Sequence, residues 1–257
     1  YDYHTEWSFS PGEVLTFIVP SYYGFGNSTY NGPLTNNQPG EINTYFGQMR
    51  FVDVAMYMGV VVFFLALFAI FMDWKNPFVR YLTILSGFAL LVSFGKTFPI
   101  LFDLLFYNLP YFDKFRVPSM ILVLVQMSLP VLAGLGLMKI INLRKEKDSR
   151  SLSLIKNTAF VFLGLFVVSL LTSSAIGDWF TGRVNDYASS IATGNQQLAQ
   201  QYQALAPYAS DMFTGDLLIA MGFLAILFWS AYFYINSKIS ADVFVIVAII
   251  LTRCKVY

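Results

Sequence analysis

The chain has 257 residues, of which 56% are hydrophobic and only 12% are charged. Soluble domains carry about 25% charged residues, so this composition favours a membrane protein. The formal net charge of +1 gives no overall positive field, and we expect no nucleic-acid partner. The single cysteine, Cys254, excludes an internal disulfide, and the single histidine, His4, argues against a histidine-based triad or metal site. We expect neither a metal nor a cofactor.

Six apolar segments approach the roughly 20 residues that a helix needs to cross the hydrocarbon core of a bilayer. None of them contains a charged side chain, and the second and sixth are short enough to need flanking residues. We predict an all-α integral membrane fold in which residues 1–53 form an extracytoplasmic loop and residues 54–257 form a polytopic transmembrane domain. The six predicted spans are residues 54–72, 81–94, 119–138, 158–177, 217–235 and 243–252.

The absence of charge inside these segments bears on function. Transporters that couple to protons or ions usually carry ionisable residues within their spans, so coupled transport is disfavoured. In the third segment, the small residues 133–136 suit close packing against another helix. The chain starts at Tyr1 rather than at Met and stops directly after an apolar segment, so we expect it to be a fragment of a longer protein.

The basic residues predict the orientation in the membrane. Segment 139–157 contains six lysines and arginines, which by the positive-inside rule makes this loop cytoplasmic. Alternation then places residues 1–53, 95–118 and 178–216 outside. Within the second of these, residues 97–112 are apolar but too short to span, which favours an interfacial or re-entrant helix.

The third outside segment contains a predicted surface helix within residues 186–213. There Leu198, Tyr202 and Leu205 have the spacing of one helix face. Such a helix would lie against the outer leaflet or against the protein.

Two basic residues flank predicted spans on the outer side, where the positive-inside rule should deplete them. Lys96 follows the second span and Arg116 precedes the third. A basic pair at headgroup level can bind a lipid phosphate, and arginine can donate two parallel hydrogen bonds to it. The alternative is that both side chains only extend toward the interface from a helix end. Pro118 falls in a first-turn position, where its missing N–H costs nothing.

The first outside segment offers four carboxylates that could in principle serve as a general base. No spacing distinguishes any one of them as catalytic. They are Glu6, Glu13, Glu41 and Asp53.

Several short motifs occur in one order along the chain. Trp7-Ser8-Phe9 is followed by Tyr45-Phe46-Gly47-Gln48, by Gly95-Lys96 and by Phe115-Arg116-Val117-Pro118, and Leu132-Ala133-Gly134-Leu135-Gly136-Leu137 closes the series. This order resembles the middle part of the bacterial YfhO-like membrane proteins, and nearly the whole chain fits it.

The resemblance implies a GT-C-like fold, shared with polytopic glycosyltransferases that use polyprenyl-phosphate sugars at the outer membrane face. It further implies a bacterial plasma membrane location and a role in cell-envelope glycan modification, with membrane lipid and a polyprenyl-phosphate sugar as partners. In such enzymes the catalytic carboxylate lies in an outside loop that would precede Tyr1, so no catalytic residue is assigned here. We expect the fragment alone to be inactive. The alternative is a non-catalytic membrane protein, either flippase-like or a scaffold component.

Overall fold

The structure is a computed structural model that describes residues 5–49, 52, 56–114, 117–146 and 149–253, without the side chains of Asp113 and Ser149. The described residues form eight α-helices, one β-hairpin and five short 3-10 helices. The α-helices are Val60–Met72 (α1), Pro77–Ser93 (α2), Pro99–Asn108 (α3), Val123–Glu146 (α4), Ser149–Leu171 (α5), Ser173–Ile191 (α6), Gln196–Ile235 (α7) and Ala241–Arg253 (α8). The strands are Asn27–Tyr30 (β1) and Gly40–Asn43 (β2), and the 3-10 helices are Pro11–Phe17, Pro33–Thr35, Gly95–Thr97, Phe112–Lys114 and Pro118–Leu122.

Three helical segments are long and apolar enough to cross a membrane. They are Pro118–Glu146, Arg150–Leu171 and Gln196–Ile235, while α1 and α2 are apolar but shorter. This confirms a helical, membrane-type architecture. The count of about six spans, the division at residue 53 and the orientation stay predictions.

The helices pack in two groups. In the first, α4 lies against α1 and α2, and the two backbones of α1 and α4 approach closely at Gly136. A Cβ atom on Gly136 would overlap the carbonyl oxygen of Leu65, so only glycine fits there. In the second group, α5 and α6 both lie along α7, and α8 packs on its end. The small residues predicted to allow close packing do so at Gly136.

Helix α7 is the clearest difference from the sequence prediction. The separate surface helix within residues 186–213 and the span 217–235 were both expected, but Gln196–Ile235 is one helix of 40 residues. At 1.5 Å per residue its length is about 60 Å, twice the thickness of a hydrocarbon core. The predicted face is confirmed, because Tyr202 and Leu205 are buried and Leu198 is half-buried.

Residues 5–49 form an ordered layer, here called the loop layer, that packs on the helices. Its hairpin pairs Asn27 with Asn43 and Tyr30 with Gly40 in antiparallel register. A turn precedes β1, where the Gly24 N–H donates to the Ser21 carbonyl oxygen at 2.9 Å and Gly24 has φ +75°. At Gly24 a Cβ atom would overlap the backbone of Thr44, so the loop layer depends on this glycine.

Helix α3 fits the prediction of a short, non-spanning helix within residues 97–112. It has ten residues and buries Phe102, whereas Ile100, Leu104 and Tyr107 are exposed. An exposed apolar face on a short helix is typical of a segment that lies in a membrane interface.

The orientation can be tested with single cysteines at Lys145 and Ser189, with Cys254 replaced by serine. Both positions are exposed, whereas Ser151 in the same basic region is buried and would report poorly. Because the basic segment is predicted to be cytoplasmic, an impermeant thiol reagent added to intact cells should label Ser189→Cys and leave Lys145→Cys unlabelled. Labelling of Lys145→Cys but not of Ser189→Cys would show that the predicted orientation is reversed.

Candidate functional site

The turn that carries Lys96 is fixed against the loop layer. Gly95 has φ +43°, a backbone conformation that favours glycine, and a Cβ atom there would overlap the hydroxyl of Ser8. The same hydroxyl accepts a hydrogen bond from the backbone N–H of Lys96 at 3.1 Å. The position of the Lys96 backbone therefore depends on the tight contact between Gly95 and Ser8.

A second contact fixes the same turn from the other side. The Thr97 hydroxyl donates to the Gln48 side-chain oxygen at 3.0 Å, and the Gln48 amide donates to the Ser8 carbonyl oxygen at 3.0 Å. Ser8 and Gln48 belong to two of the motifs that carry the family resemblance. In this structure they bind the turn that carries the third motif, Gly95-Lys96.

The two segments that carry the predicted basic pair are adjacent. A Cβ atom on Gly95 would lie 3.4 Å from Cγ of Pro118, the first residue of the 3-10 helix that leads into α4. The Lys96 side chain is exposed, and within the described part of the chain it has no hydrogen-bond or ion-pair partner. Arg116 lies outside the described residues. The first-turn position predicted for Pro118 is confirmed.

Of the four carboxylates considered as general bases, Glu13 is buried within the loop layer and hydrogen-bonded there. It is 1% exposed, accepts a hydrogen bond from the Tyr45 hydroxyl, and accepts another from the Ser10 backbone N–H at 2.6 Å. Burial, with the Glu13 carboxylate close by, raises the pKa of Tyr45 well above its usual value. Glu13 therefore acts as a structural acceptor that caps the helix Pro11–Phe17.

The other three carboxylates have different settings. Glu41 is exposed on β2, and Glu6 is half-buried and has an interaction partner. Asp53 lies outside the described residues. Among the described residues, neither Glu41 nor Glu6 has a burial or contact that marks it as a general base.

Arg183 on α6 is seated among aromatic rings of the loop layer, which sequence reasoning missed. Its guanidinium lies 4.5 Å from the ring centre of Tyr22 and 5.3 Å from that of Tyr23, both in the loop layer, and 5.3 Å from that of Trp179 on α6 itself. Its Nη1 also donates to the Tyr22 carbonyl oxygen at 3.4 Å. Burial raises the pKa of Tyr23 despite the nearby arginine. Arg183 therefore joins α6 to the loop layer. Each cation–π contact of this kind contributes about 0.5–2 kcal/mol.

Asp216 makes a second contact between a helix and the loop layer that the sequence did not reveal. It is 1% exposed within α7, and its Oδ2 accepts hydrogen bonds from the Ser21 hydroxyl at 2.5 Å and the Ser21 backbone N–H at 3.2 Å. The predicted fifth span begins one residue later, so Asp216 was assigned to the preceding loop. A single acidic residue directly before an apolar run was the only signal for it.

A polar groove of about 490 Å³ runs between α6 and α7. Its polar lining includes Ser173, Ser174, Asp178, Thr181, Asp211 and Thr214. Among the residues that the structure describes, no group of three or more His, Cys, Asp or Glu side chains is placed to hold a metal ion.

Comparison of the chain with protein-family models, with curated proteins and with solved structures gave no match.

Proposed function

We propose that this chain is part of a membrane-embedded, glycosyltransferase-like protein that acts at the outer face of a bacterial plasma membrane. Its substrate would be a polyprenyl-phosphate-linked sugar used in cell-envelope glycan modification. Lys96 and Arg116 bind the lipid phosphate in this proposal. The loop layer and the six predicted spans hold these two side chains at headgroup level.

The observation that carries the proposal is the contact between Gly95 and Pro118. It brings together two chain segments that are about twenty residues apart in sequence and that each carry one of the two cations. Two nearby cations repel each other unless an anion lies between them, and a lipid phosphate is the anion available at headgroup level. The exposed Lys96 side chain is consistent with this role.

The proposal concerns binding of the phosphate and assigns no catalytic residue. Glu13 is excluded as the base because its carboxylate is buried and holds Tyr45 and the Ser10 backbone. A non-catalytic, flippase-like protein would bind the same lipid phosphate without transferring the sugar. Sugar transfer by the full-length protein, measured with a polyprenyl-phosphate sugar and an acceptor glycan, separates these two functions.

Replacing Lys96 with glutamine tests the phosphate site. Loss of one charge-assisted hydrogen bond costs about 1.5–3 kcal/mol, so Kd for a polyprenyl phosphate in nanodiscs should rise at least about tenfold. Lys75→Gln is the matched control, because Lys75 is also exposed but lies beyond the opposite end of α2. It should change Kd by less than about twofold.

Two outcomes would contradict the proposal. One is an unchanged Kd for Lys96→Gln. The other is an equal loss in both lysine variants, which would indicate a general dependence on protein charge. Apparent Tm should be the same for the wild type and both variants, since Lys96 has no side-chain partner in the described part of the protein.

A further inference from the structure

A second groove, here called the lipid groove, separates α1 from α5. It encloses about 870 Å³, and α1 and α5 form its two sides. Helix α1 packs on α4, whereas α5 packs on α7. Its walls are apolar over most of their area, with Leu67 and Phe71 on α1 and Leu154 and Val161 on α5. Phe71 and Val161 are more than half exposed, so the groove is open along one side.

The depth of the lipid groove matches one leaflet. From Arg150 to Val161 the helix rises about 17 Å, and half of a hydrocarbon core is about 15 Å. The inner end is closed by aromatic contacts, since the ring centres of Phe64 and Phe162 are 5.1 Å apart and Phe162 stacks on Phe228 at 5.5 Å. A single acyl chain that enters from the Arg150 end would therefore stop near mid-membrane.

The open end of the lipid groove is polar and basic. Arg150 and Ser151 line it in the first turn of α5, and Asn157 follows two turns later. An arginine can donate two parallel hydrogen bonds to a phosphate, and a basic residue at the membrane surface attracts acidic lipids. Apolar walls of one leaflet's depth below a basic rim fit a phospholipid with an acidic headgroup.

We propose that the lipid groove binds one acyl chain of an acidic phospholipid whose headgroup contacts Arg150. This site lies at the Met72 end of α1, whereas Lys96 lies at the far end of the neighbouring helix α2. The two lipid sites are therefore separate. The bound lipid fills the space between α1 and α5, where protein side chains leave a gap.

Native mass spectrometry of the 257-residue protein, titrated with phosphatidylglycerol or phosphatidylcholine, tests this site. The wild type should retain one tightly held phosphatidylglycerol and prefer it over phosphatidylcholine. Arg150→Gln should reduce this preference about fivefold, the factor expected from one basic residue at a lipid headgroup. Arg80→Gln is the control, because Arg80 is exposed on α2 near the same end of the molecule and does not line the groove.

A second pair of variants tests the groove itself. Leu154→Trp fills the groove and should abolish retention of the tightly held lipid, whereas Val168→Trp adds the same side chain to an exposed position of α5 outside it. Leu154 is 46% exposed, so tryptophan can be accommodated without rebuilding the core. Unchanged retention in Leu154→Trp, or an unchanged headgroup preference in Arg150→Gln, would overturn the proposal. Neither result would bear on the phosphate site at Lys96.

Discussion

Replacing Gly136 with alanine should lower the free energy of unfolding by about 2–3 kcal/mol, the upper range for overpacking a tightly packed core. The added methyl group would overlap the Leu65 carbonyl oxygen, which is backbone and cannot rotate away. Helices α1 and α4 would have to separate, and the contacts between them would be lost along much of their length. The measurement is the apparent Tm in detergent, combined with denaturant unfolding.

Gly134→Ala is the matched control in the same helix. A Cβ atom at Gly134 has no neighbour within 4 Å, and the residue is exposed. Alanine is a better helix former than glycine by about 1 kcal/mol, so this variant should be neutral or slightly more stable. Equal stability of the two variants would contradict the close packing of α1 on α4.

Replacing Arg116 with alanine should weaken binding of a polyprenyl phosphate by about 1.5–3 kcal/mol, a tenfold to hundredfold rise in Kd. Arg116→Lys should recover only part of the affinity, because lysine cannot donate two parallel hydrogen bonds to one phosphate. Apparent Tm in detergent should change little. This prediction rests on the sequence and on the position of Pro118, two residues further along the chain.

A double variant that combines the Lys96 and Arg116 substitutions gives a stricter test of the shared phosphate. If Lys96 and Arg116 bind one phosphate, the double variant should lose less affinity than the sum of the two single losses, since neighbouring residues with a shared partner are coupled. If an Arg116 variant destabilised the protein while its folded fraction still bound the polyprenyl phosphate normally, this arginine would instead be structural.

The sequence predicted the helices well where composition alone determines them. All six apolar segments overlap helices, although the predicted span 158–177 crosses the boundary between α5 and α6. On the predicted face of α7, Tyr202 and Leu205 are buried and Leu198 is half-buried. Hydrophobic runs and 3.6-residue spacing are local properties, so they are visible without the fold. The small residues near Gly136 likewise indicated close packing before the partner helix was known.

The length of α7 could not be predicted, because its continuity depends on distant contacts. Asp216 interrupts the apolar pattern, but two hydrogen bonds from Ser21, 195 residues earlier, satisfy its carboxylate inside the protein. Pro207 lies within the same helix without ending it. A polar residue that a remote loop satisfies is indistinguishable in sequence from a residue that ends a span.

The loop layer was the least predictable region for the same reason. Its anchors are pairs such as Ser8 with Gly95, Tyr45 with Tyr202 and the rings around Arg183, which are far apart in sequence. Glu13 illustrates the consequence for function, since its burial and its bond to Tyr45 turned a candidate base into a structural residue. The sequence placed Lys96 and Arg116 at the ends of successive predicted spans, but the approach of Gly95 to Pro118 was not itself predicted.

Photo-crosslinking tests the proposed phosphate site most directly. The probe is a polyprenyl-phosphate sugar with a diazirine on the isoprene unit next to the phosphate, added to the wild-type chain in nanodiscs. We expect adducts, mapped by mass spectrometry, in residues 93–99 and 115–122, and we expect unlabelled polyprenyl phosphate to remove them. Adducts confined to the exposed surface of α5, or adducts that the unlabelled lipid does not compete away, would contradict a phosphate site at Lys96 and Arg116.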